Sequence, residues 1–76
     1  MRNSPFTFLE LRSEALVRLR YAGYIKPVDV ESFNSIRNTT TPSELSLQIN
    51  KAIIRNGIVG KERAELRKIR VFLNEH

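Results

Sequence analysis

Thr41-Pro42-Ser43-Glu44-Leu45-Ser46-Leu47-Gln48-Ile49-Asn50-Lys51-Ala52-Ile53-Ile54-Arg55-Asn56-Gly57 carries its own start signal, its own period and its own stop. Thr41 has the hydroxyl that an N-cap needs, Pro42 suits the first helical position, and Glu44 stands at capping-box spacing. Leu45, Ile49, Ala52 and Ile53 then recur at helical spacing and make one apolar face. Gly57 follows the last periodic residue, where a left-handed conformation ends helices at little cost. This stretch predicts a helix over 42–56, and the rest of the chain repeats its grammar.

Upstream, Thr7 and Glu10 have capping-box spacing, with Phe6 and Leu11 placed as a hydrophobic staple. Ser4-Pro5 offers an alternative start one turn earlier. Phe8, Leu11, Ala15, Leu19 and Ala22 share a face, and Gly23 reads as a left-handed stop. Pro27 suits the first position of a second helix, with Asp29 and Glu31 in its first turn and Val30, Phe33 and Ile36 as its buried stripe. Asn38-Thr39-Thr40 is turn chemistry. A fourth helix follows Gly60, with Leu66, Ile69 and Leu73 on one face. The expectation is an all-α, compact four-helix domain built from two helical hairpins, with helices near 7–22, 27–37, 42–56 and 61–74. The whole of 1–76 reads as a single domain.

The two hairpins align loosely, LRYAGYIKPVDVESFNSIR on IIRNGIVGKERAELRKIR. Two segments that each obey the rules of a helical hairpin produce that match without any duplication.

A chain of 76 residues gains little net stability from its core. It has no cysteine, and its one histidine is the last residue, His76, so neither a disulfide nor a metal site is expected to staple it. Close helix packing or self-association must serve instead. With no cysteine, no apolar run of spanning length and no export signal in MRNSPFTFLELR, the expected setting is cytoplasmic, with no membrane partner.

Catalysis is not expected. The chain lacks an interior histidine and any cysteine, and its close carboxylates, Asp29 with Glu31 and Glu62 with Glu65, lie at helix starts where acids belong for electrostatic reasons. No phosphate-loop pattern is present; Gly57-Ile58-Val59-Gly60-Lys61 satisfies none. No cofactor is expected. A helix-turn-helix is disfavoured, because either placement of the turn sets Arg63 or Asp29 where a buried residue belongs.

Binding is what remains. Net charge is +5, with thirteen Lys and Arg against eight Asp and Glu, spread over both halves. Such a chain attracts polyanions. Arg63, Arg67 and Arg70 form a stripe on the fourth helix, with Lys61, Lys68, Arg55 and Lys51 near in sequence. The stripe suits a phosphate backbone, or it is an ordinary solvated face. Leu47 and Ile54 lie on the opposite side of their helix from the core face. They either belong to a helix buried on two sides or mark an interface. Arg12 falls within the apolar face of the first helix. It lays its stem over the core with its head in water, or it meets a partner. The leading expectation is a small, basic, non-enzymatic regulator that binds nucleic acid or a nucleoprotein. The second is an adaptor or inhibitor that docks a helical face on an acidic protein surface, with a homodimer as a further option.

Overall fold

The computed structural model describes residues 6–75. The expected start at Ser4-Pro5 and the terminal His76 lie outside the described residues. Four helices make up the fold: α1 (Phe8–Ala22), α2 (Val30–Arg37), α3 (Pro42–Asn56) and α4 (Gly60–Leu73). Among the described residues there is no strand.

Local sequence explains most helix ends. At α1 the Thr7 hydroxyl accepts from the Glu10 N–H at 3.1 Å, and the Glu10 carboxylate accepts from the Thr7 N–H at 2.8 Å, so the capping box is complete. At α3 the box is skewed. Thr41 accepts from the Glu44 N–H at 3.2 Å, but the Glu44 carboxylate takes the Thr40 N–H at 3.3 Å instead of that of Thr41.

The start of α2 differs from the sequence expectation of residue 27. Asp29 is the N-cap, and its carboxylate accepts from the Ser32 N–H at 2.9 Å. Pro27 therefore lies outside the helix. The expected stripe loses Val30, which is exposed in the first turn, while Phe33 is half-buried and Ile36 fully buried.

Gly23 and Gly57 end their helices differently. Gly23 keeps a right-handed conformation (φ −66°, ψ −16°), because α1 unwinds through further turn hydrogen bonds: Tyr24 N–H to Tyr21 O, Ile25 N–H to Ala22 O and Lys26 N–H to Ala22 O. The expected left-handed stop is therefore absent there. Gly57 does take it (φ 62°, ψ 40°). The Ile58 N–H reaches back to the Ile53 carbonyl at 3.0 Å, and both isoleucines are buried, which is the Schellman closure with its apolar contact. A Cβ at Gly57 meets only the Lys26 Nζ, at 3.0 Å, the free end of a flexible side chain. The cost of Gly57→Ala thus comes from the left-handed backbone, about 1 kcal/mol. Urea denaturation of the variant is the check. A change below about 0.3 kcal/mol would show that the connector relaxes to another closure.

The helices form a ring in which α1 packs on α2 and α4, and α3 packs on the same two, with a smaller diagonal contact between α1 and α3. Between them lie Leu11, Ala15 and Leu19 of α1, Ile36 of α2, Leu45, Ile49, Ala52 and Ile53 of α3, and Leu66, Ile69 and Leu73 of α4. The faces read from periodicity for α1, α3 and α4 are the faces that meet.

Arg12 is bound within the fold. Its Nη1 donates to the Thr39 carbonyl at 2.8 Å, and its guanidinium lies 5.6 Å from the centre of the Phe8 ring. Thr39 is itself buried, with its hydroxyl donating to the Ile36 carbonyl at 2.8 Å. Arg12 thus ties the α2–α3 connector onto α1. The side chain is part-buried, with one guanidinium nitrogen committed within the fold.

Candidate functional site

The basic residues grouped by sequence separate in space. Arg55 leaves the end of α3 toward the start of α2, donating Nε to Asp29 at 2.5 Å and Nη2 to Glu31 at 2.6 Å. Lys68 sits on the α1 side of α4, 4.0 Å from Glu65. It lines an apolar cleft with Phe6, Phe72, Glu10 and Glu14, where the setting is acidic. Lys61 is exposed at the start of α4, and Lys51 is exposed beside Gln48 and Arg55 on the α2 side of α3. A continuous basic strip therefore does not form from all seven.

Arg63, Arg67 and Arg70 do stay together. They form one wall of a groove of about 420 Å³ between α3 and α4, whose other side includes Asn50, Ile54 and Val59. Arg70 forms the inner part of this wall. It donates Nε to the buried Ser46 hydroxyl at 3.1 Å and Nη1 to Asn50 Oδ1 at 3.0 Å, holding α4 to α3. Arg63 and Arg67 are exposed and make no hydrogen bond or ion pair with any described residue. They stand one turn apart, about 6 Å along the axis of α4. None of the residues lining the groove is acidic.

The apolar side of this region is the second face singled out from the sequence. Leu47 is 51% exposed and Ile54 is 72% exposed, so α3 is buried on one side only. Ile54 lies in the groove itself, and Leu47 lies two turns back on the same side of α3. Val59, 70% exposed, extends the apolar surface past the end of α3, and Ile25, 88% exposed, shares a smaller neighbouring cleft with it. Sequence reading missed Val59 and Ile25, because both sit in connectors, where periodicity says nothing about which way a side chain faces. The arginine stripe and Ile54, read as parts of two separate faces, line one groove, and Leu47 continues the α3 side beyond its lining residues.

A polar cluster at the other side of α3 ties that helix to the start of α2. Asn56 accepts the Asp29 N–H at 3.0 Å and donates Nδ2 to the Ser32 hydroxyl at 2.9 Å and to the Ala52 carbonyl at 3.0 Å. The Asp29 carboxyl is held below its ordinary value of 3.8, first by the Ser32 side chain and the Ser32 N–H, then by Arg55. The folded state thus holds its proton less tightly than the unfolded state. Stability from this site is complete above the ordinary value and is lost as pH falls through the lower folded value. Asp29→Asn keeps an N-cap acceptor without the charge. The stability gap between parent and Asp29→Asn is therefore expected at neutral pH and should close at a pH well below the ordinary carboxylate range. Urea denaturation at both pH values measures it, and a gap that stays constant contradicts the assignment.

No helix among the described residues is long and apolar enough to cross a membrane. Comparison with known proteins finds no matching family model, no matching curated protein and no matching solved structure.

Proposed function

We propose that the chain is a non-enzymatic protein-binding module that docks an acidic partner surface in the α3–α4 groove. The observation that carries this reading is the pairing, in one groove, of two unpaired arginines with exposed aliphatic side chains and no acid. A phosphate backbone rewards cationic side chains alone. It gains nothing from Leu47, Ile54 and Val59, and no aromatic ring lines the groove for a base to stack on. The nucleic-acid reading also depended on Arg55 and Lys68, and both already face carboxylates. A symmetric homodimer through this face puts the arginines of both copies into one interface, with no groove carboxylate to offset them.

Titration with a labelled random copolymer of glutamate and leucine, beside duplex and single-stranded DNA and RNA, tests the reading at about 50 and about 200 mM salt. Copolymer binding should persist at the higher salt, because apolar contact is not screened. Arg63→Glu with Arg67→Glu should weaken it about 100-fold, since each arginine changes from an attractive to a repulsive contact. Circular dichroism should stay unchanged, because both side chains are exposed. Nucleic-acid binding that is tight, lost in the arginine variant and indifferent to Ile54→Asp overturns the proposal.

A further inference from the structure

Resting on that reading, we infer that the groove takes a single amphipathic acidic helix of the partner, lying along α3 and α4 as a fifth helix. Whatever binds must have its backbone polar groups satisfied. An extended segment brings a row of N–H and C=O groups that need partners once water is displaced. A strand edge supplies them in β-augmentation, but the described part of this chain is helical and offers no such edge. A polyproline segment needs an aromatic-lined groove, and this one has aliphatic and guanidinium walls. A helix satisfies its own backbone and asks the groove only for side-chain contacts.

The spacing of the groove suits a helix as well. α3 and α4 are joined by a three-residue connector, 57–59, so they run as antiparallel neighbours and leave a shallow trough along their length. Leu47 and Ile54 are seven residues apart, about 10 Å along the axis. That is two turns, the repeat over which a helix returns an apolar side chain to the same face. Arg63 and Arg67 stand i, i+4 apart on the opposite wall, which matches carboxylates placed i, i+4 on the flank of a docked helix. The partner is thus a segment with apolar residues at i, i+3 or i+4, and i+7, flanked on one side by two acids one turn apart. Its charge and its apolar stripe complement the two walls independently.

The test is selection from two displayed peptide libraries against the intact chain, one randomised on a face of a preformed helical scaffold and one of unconstrained linear peptides. The helical library should yield binders rich in Leu, Ile, Asp and Glu, with amide shift changes at Leu47, Ile54, Val59, Arg63 and Arg67. Binding should fall about 100-fold in the Arg63→Glu, Arg67→Glu variant and about tenfold or more in Ile54→Asp. A proline placed mid-segment in a selected linear binder should abolish its binding, because it breaks a helix and spares an extended chain. Linear binders that tolerate that proline, while still needing Arg63 and Arg67, overturn the helix and leave the acidic-partner reading standing. Libraries that yield no groove binder, with nucleic acid bound through the arginines, overturn both.

Discussion

Leu19→Ala is expected to cost about 2–5 kcal/mol and to leave much of the population unfolded at physiological temperature. Leu19 is fully buried in the last turn of α1. Its helix faces α4 on one side and α2 on the other, so the cavity opens at the centre of the ring. Three of the buried core residues, Ala15, Ala22 and Ala52, are alanines that cannot move in to fill it. A domain of this length has on the order of 4–11 kcal/mol of total stability, and no disulfide holds the chain together. A loss of about 2–5 kcal/mol from that total should lower Tm by about 10 °C or more. Thermal melts followed by circular dichroism provide the reading. The contrast is Leu9→Ala on the same helix, where a largely exposed side chain predicts a change within about 0.5 kcal/mol. If the two variants melt together, the assigned core face of α1 is wrong.

Asn56→Ala is expected to cost about 1–3 kcal/mol, more than its only partly buried position suggests. The amide of Asn56 fills three roles with one side chain. It accepts the N–H of Asp29, ties to the Ser32 hydroxyl, and returns to the Ala52 carbonyl of its own helix. Alanine leaves the Asp29 N–H without a partner at the entrance to α2, and α2 has only eight residues to hold itself in place. Hydrogen exchange should accelerate at Asp29 and through α2 before it changes in α4. Arg55→Ala is expected to do much less. Its two ion pairs with Asp29 and Glu31 are short but exposed, and such pairs lose to solvent and side-chain entropy most of what they gain. An Arg55 effect larger than that of Asn56 would mean that charge, not the amide bridge, sets the start of α2.

That contrast also marks where sequence reading ends. α1 and α3 were legible because their signals are local: a hydroxyl three residues before a Glu, a glycine after the last apolar turn, and a period near 3.6; α4, capped by neither a hydroxyl nor a glycine, was legible from its period alone. α2 was misplaced by three residues because two local rules compete there. Pro27 is suited to a first helical position and Asp29 to a cap, and the choice is made by Asn56 and Arg55, more than twenty residues away. The glycines divide for a related reason. Gly57 has Ile58 behind it to bury against Ile53, whereas Gly23 is followed by Tyr24 and Ile25, both exposed, so no apolar closure pulls the chain into the left-handed turn.

The candidate site was half legible. One face of α4 could be seen to hold Arg63, Arg67 and Arg70, and one side of α3 to hold Leu47 and Ile54. Nothing in the one-dimensional pattern says that these two faces meet. That depends on how α3 and α4 pack, and on Arg70 reaching Ser46 and Asn50 across the gap. Arg55 shows the converse: a residue near the stripe in sequence is turned away from it by acids of another helix.

The ring of helices carries a last consequence. α1 closes the domain against α4, the last of the four helices, so neither helical hairpin owns a finished interior. Leu11, Ala15 and Leu19 have a complete set of neighbours only when Leu66 and Ile69 are in place. Assembly is therefore expected to be a single event, and a protease that cuts any connector should find either the whole chain resistant or the whole chain lost. The likeness between the hairpins, whatever its origin, does not make them halves that can live apart.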